Sequence, residues 1–191
     1  MAQQNLFLPS VSDIHFKKCH AQHGFYVVSI KKLIALLALT LGLYTFYWFY
    51  RNWRVIKQQN IQYSNCSPLC RSLLSVIFLP SLFTCIESSA KKEGVRMSFH
   101  GWQLALVCNL SSIIAIILLC SETLYLSAFG LLAGICGLLP LIKMQKVINQ
   151  LEHDPTGWAN HKFTGFNWLC LVAGASYTSL FGLASVMLFA A

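Results

Sequence analysis

Residues 42–54 read Gly-Leu-Tyr-Thr-Phe-Tyr-Trp-Phe-Tyr-Arg-Asn-Trp-Arg. Seven aromatic side chains crowd the end of an apolar run, and this run stops at Arg51 and Arg54. Aromatic rings with a polar tip concentrate at the bilayer–water interface, where neighbouring arginines extend to the lipid headgroups. A surface helix of a soluble protein keeps one polar face, whereas a helix of this sequence is aromatic all round. The stretch therefore predicts a helix embedded in a membrane.

The composition of the whole chain points the same way. Apolar residues make up 56% of the 191 residues and charged residues only 10%. A globular domain carries about 25% charged residues, so this chain has too few to cover a soluble surface. The 14 Lys and Arg exceed the 6 Asp and Glu, but they flank the apolar runs instead of forming one stripe. That placement is typical of contact with anionic headgroups, so we expect the lipid bilayer as a partner and no nucleic acid.

The apolar runs predict an all-α fold, a polytopic helical membrane bundle with four transmembrane helices. After a polar tail over residues 1–24, a single transmembrane domain is predicted to cover residues 25–191. A helix needs about 20 apolar residues to cross a bilayer, and four runs approach that length. These predicted spans are residues 33–50, 104–120, 124–142 and 168–190. The first thirty residues lack the pattern of a signal peptide, so the first run is expected to stay in the membrane.

Residues 72–86 form an ambiguous segment, which is 15 residues long and has Pro80 near its middle. At 1.5 Å per residue a helix of this length covers about 22 Å, less than the ~30 Å hydrocarbon core. Proline removes one backbone hydrogen bond and favours a bend. We therefore predict a short, Pro-bent re-entrant or interfacial segment, with a full span as the alternative.

The two middle spans are joined only by residues 121–123, which predicts an antiparallel helical hairpin. The second helix is expected to continue past Pro140 as an amphipathic arm, because apolar residues recur on one face at Leu141, Met144, Ile148 and Leu151. The connecting turn has no Lys or Arg, while both outer flanks of the hairpin are basic. The positive-inside rule places the turn outside and the flanks in the cytoplasm, and leaves the side of the N-terminus open.

Small and polar residues within the spans suggest two further roles. Small residues four positions apart let helices approach closely, and they occur at Gly130 and Gly134 and, through Thr178, at Gly174 and Gly182. They predict packing of the helices inside this bundle, with homo-oligomerisation or docking to a partner helix as the alternative. A polar patch lies midway along one helix and consists of Asn109, Ser111 and Ser112. It suits interhelical hydrogen bonding or, in an oligomer, a path for a solute.

No catalytic motif is recognisable in the sequence. A group of acid–base residues precedes the last span at Glu152, His153, Asp154 and His161. No nucleophile accompanies them at a recognisable spacing, so we predict a solvated loop, no catalytic residue and no enzyme. Three soft ligands are spaced four residues apart at His15, Cys19 and His23. Because no fourth ligand is evident, we expect a polar tail there, with no metal and no other cofactor.

Two motifs resemble those of a family of small bacterial multi-pass membrane proteins that share a domain of unknown function. The first motif is Thr40-x-Gly42-Leu43-Tyr44-x-x-Tyr47-Trp48-x-Tyr50, at the aromatic end of the first span. The second motif is Phe163-Thr164-Gly165-x-Asn167-Trp168, ahead of the last span. The resemblance implies a location in the bacterial inner membrane, and it implies no activity and no site residues.

These features predict an integral membrane protein that is a non-catalytic accessory or scaffold subunit of an envelope complex. Its partner would be another membrane protein or a second copy of the chain. The alternative is a small oligomeric transporter or channel-like protein built around Asn109. We expect the interfacial anchor, or a contact with lipid headgroups, at Tyr44, Tyr47, Trp48, Arg51 and Arg54.

Overall fold

The computed structural model describes residues 24–59, 63–121 and 123–190, and within these residues the chain is all-α. Seven α-helices are present there, with no β-strand in the same residues. The helices are α1 (Ile30–Leu39), α2 (Tyr44–Gln59), α3 (Pro68–Leu73), α4 (Ser75–Lys92), α5 (Gly101–Leu119), α6 (Leu124–Leu151) and α7 (Gly165–Ala190). The all-α fold class predicted from the sequence is confirmed.

Helices α5 and α6 form the antiparallel hairpin that the short connecting turn predicts. Gly130 of α6 lies directly against α5, since a Cβ atom placed there would be 3.0 Å from the Ala115 carbonyl oxygen. Any larger side chain would push the two helices apart. Helix α6 then continues through Pro140 to Leu151, and the four apolar residues of the predicted arm are all buried.

Two helices are long and apolar enough to cross a membrane, judged by length and composition. They are α5, with a mean hydropathy of 2.1, and the Tyr125–Leu151 part of α6, with a mean hydropathy of 2.0. Only 22% of the apolar window of each helix is buried. The core helix of a soluble protein would bury most of such a surface, so this exposure supports a membrane location. The four predicted spans are not confirmed, because only these two helices pass among the described residues.

The predicted first span, residues 33–50, is divided into two helices. Helix α1 ends at Leu39, and the backbone turns through Leu41 (φ 45°) and Gly42 (φ 85°) before α2 begins. The 10 residues of α1 cover only about 15 Å, half of the hydrocarbon core. A glycine in the left-handed region is a common helix terminator, but in this sequence the apolar run around it conceals the turn.

The chain reverses its direction between α1 and α2. The backbone N–H of Tyr26, which precedes α1, donates a hydrogen bond of 3.2 Å to the side chain of Asn52 in α2. A continuous helix would hold these two residues about 39 Å apart. Within α2, Tyr47 contacts the ring of Phe166 in the first turn of α7. Tyr26 and Asn52 therefore belong to the same end of the molecule.

The predicted segment 72–86 belongs to two helices instead of one bent at proline. The break falls at Leu74, between α3 and α4, whereas Pro80 lies inside α4. Helix α4 packs antiparallel to α5, with Gly101 so close that a Cβ there would be 2.6 Å from the Phe83 carbonyl oxygen. Neither α3 nor α4 is among the helices that could cross a membrane.

One end of the bundle is much more densely packed than the other. We name it the packed end, formed by residues 24–29, α2 and residues 141–164. Its interior contains fully buried aromatic side chains of α2, including Trp48, Phe49 and Trp53. The opposite end, around the turn between α5 and α6, carries exposed apolar side chains such as Ile116 and Ile117. The polar and the apolar parts of the molecule are thus separated along the helix axes.

Candidate functional site

Side-chain amides hold the extended segment that precedes α1. Gln145 donates a hydrogen bond of 3.0 Å to the Tyr26 carbonyl, and Asn149 donates one of 3.0 Å to the Val28 carbonyl. The Asn52 side chain accepts a hydrogen bond from the Tyr26 N–H. An extended segment with no neighbouring strand needs such partners, because its buried N–H and C=O groups would otherwise be unpaired. Neither Gln145 nor Asn149 belongs to a recognisable motif of the sequence. What distinguishes them is that they are polar residues on the apolar face of the α6 arm.

The acid–base residues ahead of α7 have structural contacts. The Glu152 carboxylate is buried and accepts a hydrogen bond of 2.7 Å from the Phe25 N–H. The Asp154 carboxylate accepts from the N–H groups of Ala159 and Trp158 at 2.8 and 2.9 Å. These hydrogen bonds lower the pKa of Asp154, and the bond from Ala159 has the largest effect. Both carboxylates therefore shape the loop that leads into α7.

The two histidines of the same loop have different surroundings. The His161 ring stacks on the Trp158 ring, with 4.1 Å between the ring centroids, and His153 is exposed with a φ of 56°. In the part of the chain that the structure describes, no three His, Cys, Asp or Glu side chains could together hold a metal ion. The triplet of His15, Cys19 and His23 lies outside the described residues.

Lys32, in the first turn of α1, is a buried cation with 2% of its surface exposed. Its Nζ donates hydrogen bonds of 2.7 Å to the Asn160 side chain and to the Lys162 carbonyl. It also lies 5.8 Å from the centre of the Phe163 ring. Burial lowers the pKa of Lys32. Among the described residues no carboxylate lies within ion-pair distance of this charge, and the groups there that contact it are neutral.

A cavity of about 400 Å³ opens beside this lysine, between α2, the segment before α1 and the start of α7. We name it the Arg51 cavity; the polar residues that line it are Tyr26, Tyr47, Arg51, Asn160, Thr164 and Asn167. The Arg51 guanidinium lies 4.8 Å from the Tyr26 ring centre and 5.9 Å from that of Tyr47. Stacking on two aromatic rings fixes the plane of a guanidinium group and directs its donors.

The structure separates the five residues predicted as an interfacial anchor. Tyr44 and Trp48 are 3% and 1% exposed, and each forms a hydrogen bond inside the protein. Tyr47 and Arg51 line the Arg51 cavity. Arg54 is exposed on the other side of α2, where it borders a wider cavity. Within this set only Tyr47, Arg51 and Arg54 remain accessible to a lipid headgroup.

The basic residues are concentrated around α2. Residues 14–86 contain eight of the 14 Lys and Arg and no Asp or Glu. The other six basic residues are matched in number by the 6 acidic residues of the chain. The whole net charge of +8 therefore belongs to the stretch that contains α1 to α3 and most of the apolar part of α4. An excess of this kind attracts anionic groups at a membrane surface.

The predicted polar patch faces neighbouring helices. The Asn109 amide donates a hydrogen bond of 2.8 Å to the Val76 carbonyl of α4, and Ser112 donates to the Cys108 carbonyl of its own helix. The Cβ atom of Ser111 lies 3.0 Å from the position a Cβ would take at Gly137 of α6. Through these contacts the polar patch contributes to the packing of α4, α5 and α6 against one another.

The predicted small-residue positions differ in what they contact. Gly130 and Gly134 both face Ala115 of α5. A Cβ at Gly174 would lie 2.7 Å from the Leu39 carbonyl oxygen, so α7 touches the end of α1 there. No described atom lies within 4 Å of a Cβ placed at Gly182. Helix α7 thus packs on α1 in its first half and is open at Gly182.

The fold and these contacts define an all-α protein in which an apolar helical hairpin is joined to a polar packed end. No family model, no curated protein and no solved structure matches the chain. The resemblance to small bacterial multi-pass membrane proteins therefore stays a prediction.

Proposed function

We propose that the protein is an integral membrane protein of the bacterial inner membrane and a non-catalytic accessory or scaffold subunit. In this proposal α7 crosses the membrane beside the α5–α6 hairpin, and α1 enters it only part of the way. Helix α7 has 26 residues, about 39 Å at 1.5 Å per residue, which is enough for the ~30 Å core.

The observation that carries the proposal is the open outer half of α7. Leu180, Leu183 and Met187 are exposed, and Gly182 between them has no described neighbour within 4 Å of a Cβ position. A glycine on a membrane helix lets another backbone approach closely. The groups with acid–base chemistry at the packed end are engaged in holding the loop before α7. These two features favour a docking protein over a catalyst.

The test is a pull-down of the tagged, full-length protein from membranes in mild detergent, with mass spectrometry and a native mass of the complex. A stoichiometric foreign membrane protein supports the scaffold proposal. A homo-oligomer with no foreign partner contradicts it.

A pair of matched variants shows whether the captured partner uses α7. Gly182→Leu fills the open position, and we expect it to abolish capture while the protein still folds. Gly165→Leu makes the same change at the other end of α7, where no atom lies within 4 Å either, and should retain the partner. Equal capture by both variants would show that the partner binds elsewhere.

A further inference from the structure

The Arg51 guanidinium has unused hydrogen-bonding capacity that faces a cavity. An arginine presents five N–H donors in a planar fork. The hydrogen bond formed here is one of 3.3 Å, from the guanidinium to the Tyr47 hydroxyl. No carboxylate of the described residues lies within ion-pair distance of this group. The remaining donors and the positive charge are therefore available to an anion that enters the Arg51 cavity.

Asn167 adds a second donor to the same cavity. The residue is only 3% exposed, and its Oδ1 accepts hydrogen bonds of 3.0 and 2.9 Å from the N–H and hydroxyl of Thr164. Its Nδ2 makes no hydrogen bond within the described residues and is not fully enclosed, since the Trp53 indole nitrogen is the one fully enclosed side-chain atom there that lacks a partner. This N–H₂ group is therefore open to a ligand that enters the cavity. Since Asn167 lines the cavity, this donor and the Arg51 guanidinium serve one space.

A further positive charge lies behind the cavity wall. Lys32 is bonded to Asn160, and Asn160 itself lines the Arg51 cavity. Two cations that have no carboxylate partner within the described part of the chain therefore flank one small volume. An anion bound there would offset both charges in an environment where burial weakens screening by water.

The position of the cavity indicates the source of the anion. The first turn of α7 lies at its rim, and the exposed aromatic side chains Phe163, Phe166 and Trp168 surround that turn. Aromatic residues of this kind mark the depth of the lipid headgroups in a membrane protein. We propose that the Arg51 cavity binds the phosphate group of an anionic phospholipid, with Arg51 and Asn167 as its hydrogen-bond donors. The proposal rests on the membrane location of α7 and not on the scaffold role.

The test measures lipid binding by the purified full-length protein in detergent, with phosphatidylglycerol as the probe and zwitterionic phosphatidylcholine as the reference lipid. Native mass spectrometry counts the bound lipid, and tryptophan fluorescence follows the titration. We expect selective retention of phosphatidylglycerol. Arg51→Gln should weaken its binding about tenfold, the effect of losing a hydrogen bond to a charged group.

Three variants separate a built site from general attraction. Asn167→Asp keeps the acceptor for Thr164 and replaces the donor with a negative charge, so it should lose the lipid while the protein remains folded. Arg51→Lys keeps the charge without the planar fork and should bind with intermediate affinity. Lys92→Gln removes an equal charge at the exposed end of α4, away from the cavity, and should bind as the unchanged protein does.

Three outcomes would overturn the proposal. Unchanged binding by Arg51→Gln and Asn167→Asp would show that the cavity is not the site. An equal loss in Lys92→Gln would show that the effect is one of general surface charge. Displacement of the lipid by millimolar inorganic phosphate would assign the cavity to a free anion. Each outcome is independent of the scaffold proposal, because partner capture is a separate measurement.

Discussion

The side-chain amide of Asn109 donates a 2.8 Å hydrogen bond to the Val76 carbonyl, the acceptor that Pro80 leaves without its helical partner. In an unbroken α-helix the N–H of residue 80 would bond to the carbonyl of residue 76, but proline has no N–H. Where water is excluded, as in a membrane, an unpaired carbonyl needs a donor from a neighbouring helix. One asparagine on α5 thus allows a proline within α4.

Removal of this donor should destabilise the protein in a way that depends on Pro80. We expect Asn109→Leu to cost about 1–3 kcal/mol of unfolding free energy, because the Val76 carbonyl loses its partner. In a Pro80→Ala background the helix supplies its own N–H, and the same substitution should cost close to nothing. Reversible unfolding in mixed detergent measures this double-mutant cycle. An equal cost in both backgrounds would contradict the assigned role.

The loop before α7 should be sensitive to a side chain at Gly157. This glycine has a φ of +68°, and a Cβ there would lie 2.5 Å from the backbone nitrogen of Ser29. Gly94 has a similar φ of +70° but no atom within 4 Å. Gly94→Ala should therefore lose only the roughly 1–2 kcal/mol of left-handed strain, and Gly157→Ala should lose more. The difference between their thermal unfolding temperatures measures the contact with the segment before α1; no difference would exclude it.

Acid should weaken the junction of α4 and α5 through Glu87. The carboxylate accepts a hydrogen bond of 2.7 Å from the Gly101 N–H and lies 2.7 Å from the Lys91 ammonium and 3.1 Å from the His100 ring. Burial alone would raise the pKa of Glu87, but the bonds to Lys91, Gly101 and His100 outweigh it and hold the pKa at about 2. The folded state therefore favours the ionised carboxylate.

The direction of the pH dependence follows from this depressed pKa. The contribution of Glu87 is complete above the ordinary glutamate pKa of 4.5 and disappears as the pH falls towards about 2. We expect Glu87→Gln to unfold at a lower temperature than the unchanged protein at pH 7, and the two to converge at pH 2–3. Lys91→Gln, which removes only an exposed partner, should have a smaller effect. Parallel pH profiles for Glu87→Gln and the unchanged protein would contradict the assignment.

Local patterns in the sequence predicted the hairpin well. The turn after α5 and the apolar face of the α6 arm depend on neighbouring residues, and both are present. The break between α1 and α2 was missed, because an apolar run has the same composition whether its helix continues or turns at Leu41 and Gly42. The division at Leu74 was missed for the opposite reason: proline predicts a bend at Pro80, but the Val76 carbonyl that Pro80 leaves without its helical partner accepts a hydrogen bond from Asn109 of α5.

The candidate site was only partly visible in the sequence. Arg51 and Tyr47 stood out as aromatic and basic residues at the end of an apolar run. Lys32 and Asn160 did not, and Asn167 appeared only within the second motif, because the segment before α1, helix α2 and the residues around the start of α7 are far apart in the sequence. Nothing in the spacing of such residues reveals that they meet. The feature of the sequence that indicates them is their polar character on otherwise apolar elements.

The arrangement of α1 and α2 predicts the orientation of the N-terminal region, which the count of basic residues left open. Tyr26 bonds to Asn52 and Phe25 bonds to Glu152, so the segment before α1 and Asn52 of α2 lie at the packed end with the basic flanks of the hairpin. The positive-inside rule predicts that this end is cytoplasmic. Cysteines introduced as Gly24→Cys and Lys57→Cys, in a chain whose native cysteines are replaced, should react with an impermeant maleimide only in inverted vesicles. Ser121→Cys, in the turn at the opposite end, is the control and should react in right-side-out vesicles. Reaction of Gly24→Cys and Lys57→Cys from opposite sides would restore a complete span at residues 33–50.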